Sequence, residues 1–235
     1  MAPRLLSALG WAGFNLVMLW ALLFLAGVVV PRTVDGPHRV GTLPAVVVDL
    51  ALLGLFALQH SVLARRSVKA RLRAWVPAAL ERTAYVLATD LVLALLFSLW
   101  EPFGGRVWAV PSFGWVLWVV YGAGWVLAVV STHAIDQLEL TGLRQAGWGR
   151  PVEPDGGLQT TGLYAVVRHP LMTGLIVVFW ATPTMSASHL LFAGAATAYV
   201  VLGTRFEERD LRRSFGAAYD DYAARVPALV PGLRR

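Results

Sequence analysis

The chain has 235 residues, of which 57% are hydrophobic and only 14% charged, at a mean hydropathy of +0.61. A water-soluble globular enzyme cannot hide that much apolar surface, and disordered or collagen-like chains are excluded with it. The net charge of +6 sits between apolar blocks and at the C-terminus, the pattern of cytoplasmic loops rather than of a nucleic-acid surface, and the lack of cysteine excludes disulfides, Cys-ligated metals and a thiol nucleophile.

The apolar blocks are long enough to cross a bilayer. The first expected span runs from about Leu5 to Val30 and is closed by Pro31; it is too long for a signal-peptide core. A second runs from Leu43 to Ala64 and carries Asp49, Gln59 and His60. A third runs from Thr83 to Trp100 and carries Asp90. A fourth runs from Phe113 to Ile135, with Gly114, Gly122 and Gly124 as small residues that permit close helix approach. From Asp136 to Arg168 the chain is hydrophilic, and Gly142, Gly147, Gly149, Pro151, Pro154, Gly156, Gly157 and Gly162 mark it as loop. An apolar hairpin follows. Its first arm, Leu171 to Ala181, is about 16 Å long as a helix and too short to cross alone. A turn spans Thr182 to Ser188, and the second arm runs from His189 to Arg205 and on as a charged helix to Phe215.

The expected fold is therefore all-α: a polytopic helical bundle of four spans plus a C-terminal hairpin, five to six membrane helices in total. Residues 1–135 form the transmembrane region, and 136–235 add loop, hairpin and tail within one integrated domain. Arg65, Arg66, Lys69, Arg71, Arg73 and Arg82 crowd the loop between spans two and three. Arg205, Arg209, Arg212, Arg213, Arg225, Arg234 and Arg235 crowd the tail. Both clusters predict cytoplasmic placement, which puts both termini in the cytoplasm.

Ionisable groups at membrane depth mark function or a pairing partner. Asp49 and His60 are three helical turns apart and share a face of span two. His133, Asp136 and Gln137 have i, i+3, i+4 spacing at the end of span four, which suits a solvated helix end as well as a ligand. The segment from Gly162 to Pro170 is denser. Pro170 starts a helix without losing a needed donor, and helix N-terminal amides favour an anion. Arg168 offers a carboxylate a two-pronged partner, and His169 offers a donor to a ribose or carboxylate. The same residues also read as a polar helix start with an interfacial Arg. In the second dense patch, Glu207 and Glu208 leave the apolar arm near Tyr219 and Tyr222. They suit a cation such as a sulfonium, or simply a solvated charged helix.

The stretch Tyr164 to Pro170 ends in Arg-His-Pro. Glu207-Glu208, Leu211, Phe215-Gly216, Tyr219 and Tyr222 follow the hairpin, and Val226-Pro227 comes later. Together these resemble the isoprenylcysteine carboxyl methyltransferase superfamily of membrane methyltransferases. The segments 59–65, 81–85, 141–145 and 179–185 look more specifically like its bacterial branch acting on methanethiol. The resemblance implies an enzyme using S-adenosylmethionine, with Leu163, Tyr164, Arg168, His169, Pro170, Arg205, Tyr219 and Tyr222 holding the cofactor. It implies catalytic roles for His60, Glu207 and Glu208, and substrate contacts from His133, Asp136 and Gln137. The expected acceptor is a small thiol, methanethiol giving dimethyl sulfide, with the bacterial inner membrane as the location. An isoprenylcysteine carboxylate, a phospholipid amine and a non-catalytic assembly role are the alternatives. No metal and no obligate protein partner are expected.

Overall fold

A computed structural model describes residues 1–149 and 157–233. Pro151, Pro154 and Gly156 of the expected loop, and Arg234 and Arg235 of the tail, lie outside the described residues. The helices are α1 (Ala2–Ala26), α2 (Thr42–Ala64), α3 (Arg66–Leu72), α4 (Glu81–Leu99), α5 (Gly114–Ile135), α6 (Gln137–Leu140), α7 (Pro170–Trp180), α8 (Ala187–Phe215) and α9 (Ala217–Arg225). Two short strands, β1 (Arg106–Ala109) and β2 (Thr184–Ser186), pair in a two-stranded sheet.

Five of these helices are long and apolar enough to cross a membrane, and α7 is the shorter apolar helix of the hairpin. The all-α, polytopic membrane architecture read from the sequence is the one observed. The boundaries have local causes. Span one stops at Ala26, earlier than expected, because Gly27 adopts φ 72° and folds the chain back, the Val28 amide donating to Leu23 O at 3.1 Å. The expected turn of the hairpin is shorter than it looked, since α8 already begins at Ala187 and runs unbroken into its charged half.

The described residues fall into two compact units. One comprises 1–107, 135–149 and 185–192; the other comprises 108–134, 157–184 and 193–233. In the first, α4 packs against both α1 and α2. Gly10 lets α1 approach α4 at Thr83, where a Cβ would come within 3.0 Å of the Thr83 side chain. The apolar centre is aromatic: Phe24 lies 4.9 Å from Phe97 and 6.0 Å from Trp100, ring centre to ring centre, and the buried Trp100 indole donates to Ser188 Oγ at 2.9 Å. Asp49 is fully buried and accepts the Glu101 amide at 2.9 Å. That supplies one of the membrane-depth carboxylates with a partner.

In the second unit, α5 and α7 touch backbone to backbone. A Cβ on Gly174 would sit 2.7 Å from Gly124 O and 2.9 Å from Ala128 N, so the two glycines set the contact. Gly122 meets nothing within 4 Å, and of the small residues noted in span four it is Gly124 that makes this helix contact.

Candidate methyl-transfer site

The two dense sequence patches meet in the second unit. A short 3-10 turn, Gly162–Ala165, leads to His169, which precedes α7; Pro170 opens the helix. Glu207 and Glu208 lie on the charged half of α8. Arg168 Nε donates to Glu208 Oε1 at 2.9 Å, and Nη2 reaches the same oxygen. Arg168 Nη1 donates to the carbonyls of Ala223 (3.1 Å) and Val226. Both charged side chains are nearly buried, at 10% and 13% exposure. The backbone repeats the join: the Arg168 amide donates to Pro227 O at 2.9 Å and the His169 amide to Ala228 O at 3.0 Å. Thr173 Oγ1 donates to Leu229 O at 2.7 Å. Arg168 is thus committed to Glu208 and the tail, and a two-pronged grasp of a ligand carboxylate requires it to release Glu208.

His169 is different. It is buried, with Nδ1 3.5 Å from Glu207 Oε2 and Nε2 3.4 Å from Glu208 Oε1. Nε2 nonetheless makes no hydrogen bond of good geometry, which leaves a buried donor ready for a ligand. Burial opposes its charged form, but the Glu207 and Glu208 carboxylates 3.5 and 3.4 Å away outweigh that and push His169 up to about 9. The Glu207 side chain is half exposed. Tyr164 is buried, and its carbonyl accepts the Tyr222 hydroxyl at 2.6 Å. Burial first, then the Glu207 charge, push the Tyr164 phenol up to about 12, so it stays a protonated donor at working pH. Tyr219 is fully buried with its ring 6.1 Å from that of Tyr222. Leu163 lies in the 3-10 turn. Arg205 is exposed and forms no ion pair among the described residues.

His60 belongs to the first unit. The Tyr85 hydroxyl lies 2.8 Å from its Nε2, Thr89 Oγ1 lies 3.5 Å from Nδ1, and Phe56 stacks on the ring. The expected helix-end set does not form one face. Helix α5 stops at Ile135 because Asp136 adopts φ 102° and caps α6, accepting the Leu138 and Glu139 amides at 3.0 and 3.3 Å. Asp136 also pairs with Arg144, Gln137 donates to Asn15 Oδ1 at 3.4 Å, and exposed His133 turns back to Val129 O. Sequence reasoning missed the tail carbonyls that hold Arg168, since backbone acceptors leave no side-chain signature. Nor does spacing pair Tyr85 with His60, which lies 25 residues away in the chain.

The chain is 45% identical to methanethiol S-methyltransferase 2 of Bradyrhizobium diazoefficiens over 99% of its own length and 91% of that protein. It is 43% identical to the methanethiol S-methyltransferase of Pseudomonas deceptionensis over 88% and 80%, and 42% identical to that of Mycobacterium tuberculosis over 92% and 90%. The chain belongs to the methanethiol S-methyltransferase family. Membership makes it an enzyme of the membrane methyltransferase class. No protein-family model matches the chain, and no solved structure matches it significantly.

Proposed function

We propose that the protein methylates methanethiol to dimethyl sulfide with S-adenosylmethionine as donor, from the bacterial inner membrane with both termini in the cytoplasm. The observation that carries this reading is the buried His169 Nε2 donor beside two carboxylates, Glu207 and Glu208. The donor molecule supplies an electrophilic methyl on a sulfonium and also carries a carboxylate, an ammonium and a ribose. The residues fit it: Nε2 of His169 donates to the carboxylate or ribose, and the half-exposed Glu207 faces the cationic end. Tyr164 and Leu163 of the 3-10 turn line the approach, with Pro170 fixing the helix start beside it. Tyr219 and Tyr222 pack the nucleoside side, and Arg205 supplies an exposed cation at the rim.

Glu208 acts through Arg168. Held by that guanidinium, it anchors the tail and orients His169. A small alkyl thiol is mostly protonated at neutral pH and reacts as the thiolate. His60, beside the Tyr85 hydroxyl, is the residue we assign to take that proton. An apolar bundle serves the chemistry because displacement at the methyl needs sulfur, methyl and sulfonium collinear and free of water. A small apolar thiol also enters through lipid.

Binding of S-adenosylhomocysteine to the purified protein in lipid nanodiscs tests this directly. Saturable binding is expected, and His169→Ala is expected to weaken it at least tenfold through loss of a charged hydrogen bond. Absence of binding to the wild-type protein overturns the assignment of the donor.

A further inference from the structure

A polar cavity, of about 410 Å³, lies in the first unit, lined by Lys69, Arg73, Glu81, Arg82, Glu139 and Gln145 among others. Arg73 is spent on Glu81 at 2.6 Å. Three other groups keep unused bonding capacity. Arg82 gives its Nε to Leu140 O at 2.7 Å and rests on the Tyr85 ring, but forms no ion pair among the described residues. The Glu139 carboxylate likewise has no cationic partner among them; its backbone carbonyl accepts Gln145 Nε2 at 3.3 Å. Gln145 Oε1 is buried with no hydrogen-bond partner. An unpaired guanidinium, an unpaired carboxylate and an orphaned acceptor therefore line one cavity, in a size range that takes small ligands.

A phosphate fits poorly, since Glu81 and Glu139 repel it, and a metal ion fits poorly beside Lys69 and Arg82. A ligand carrying both charges fits. We propose that this cavity binds the α-amino-acid head group of a small zwitterion. The carboxylate pairs with the free Nη groups of Arg82, and the ammonium donates to Glu139 and Gln145 Oε1. Ala78, Ile135 and Leu140 complete the wall and suit an apolar side chain. Two molecules carry this head group: a free apolar amino acid, and the amino-acid end of an S-adenosyl compound. The cavity is independent of the donor site proposed at His169.

The test is a titration of L-methionine and of S-adenosylhomocysteine into the full-length protein in nanodiscs, as wild type, Glu139→Gln and His169→Ala. Because the Glu139 side chain holds no ion pair, Glu139→Gln is expected to unfold at the wild-type temperature. Methionine binding that falls at least tenfold in Glu139→Gln and is unchanged in His169→Ala supports the proposal with a free amino acid as ligand. Loss confined to S-adenosylhomocysteine in Glu139→Gln supports it with the S-adenosyl compound as ligand. Equal affinity of Glu139→Gln and wild type for both molecules, or no binding of either, overturns it. A failure of the donor assignment at His169 leaves the methionine arm readable.

Discussion

Replacing Glu208 by Ala is expected to release the C-terminal tail and abolish activity. The carboxylate satisfies a guanidinium that is only 10% exposed, and removing one partner of a buried pair costs about 3–5 kcal/mol, mostly because the other charge is left unpaired. Arg168 also holds the carbonyls of Ala223 and Val226, and the adjoining amides hold Pro227 and Ala228. The loss therefore spreads along residues 223–229 rather than staying local. Limited proteolysis of the nanodisc-embedded protein reads this out: the variant is expected to be cut after the tail arginines much faster than the wild type. Arg168→Lys is expected to do nearly as much damage, because an ammonium cannot serve the carboxylate and two carbonyls in one planar fork. A Glu208→Ala protein with wild-type protease resistance contradicts the join.

The second large effect is in pH. His169 has a folded pKa of about 9, above its ordinary 6.5, because the nearby Glu207 and Glu208 outweigh the cost of burial. A group whose folded pKa is raised contributes stability that is complete below about pH 6.5 and is lost as pH rises through about 9. The amount at stake is on the order of 3 kcal/mol. Thermal unfolding of the wild type is expected to be flat from pH 5.5 to 6.5 and to weaken progressively up to pH 9.5. Glu207→Gln removes one of the two carboxylates. It is expected to bring the weakening to lower pH and reduce its size, modestly because the Glu207 side chain is 52% exposed and screened by water. His169→Ala is expected to remove this pH dependence. A His169→Ala profile with the wild-type slope assigns the slope to other groups and contradicts the reading.

Most of the architecture was legible in the chain because the bilayer is a simple solvent: runs of about 20 apolar residues leave few alternatives. The hairpin was legible for the same reason, since Leu171 to Ala181 is too short to span and ends near Pro183. The site was legible in pieces. Arg168-His169-Pro170 and Glu207-Glu208 stand out by composition, yet nothing in spacing says that Arg168 is consumed by Glu208 while His169 keeps a spare donor. That division depends on the tail, where Ala223, Val226 and Pro227 act through backbone carbonyls that any residue would supply. The helix-end set was misread for a local reason. The end of span four at Ile135 was legible, but the i, i+3, i+4 spacing of His133, Asp136 and Gln137 treats them as one helical face, whereas Asp136 adopts a positive φ and spends its side chain on capping α6. A capping aspartate ahead of an apolar residue was the available signal.

The proposed reaction moves a methyl group from an S-adenosyl sulfonium to a small thiol. The most direct measurement is headspace mass spectrometry over purified protein supplied with S-adenosylmethionine carrying a deuterated methyl and with methanethiol. The account predicts dimethyl sulfide three mass units heavier than the unlabelled gas, formed by the wild type and lost in His169→Ala. No labelled dimethyl sulfide from a folded wild-type protein that binds the donor contradicts it.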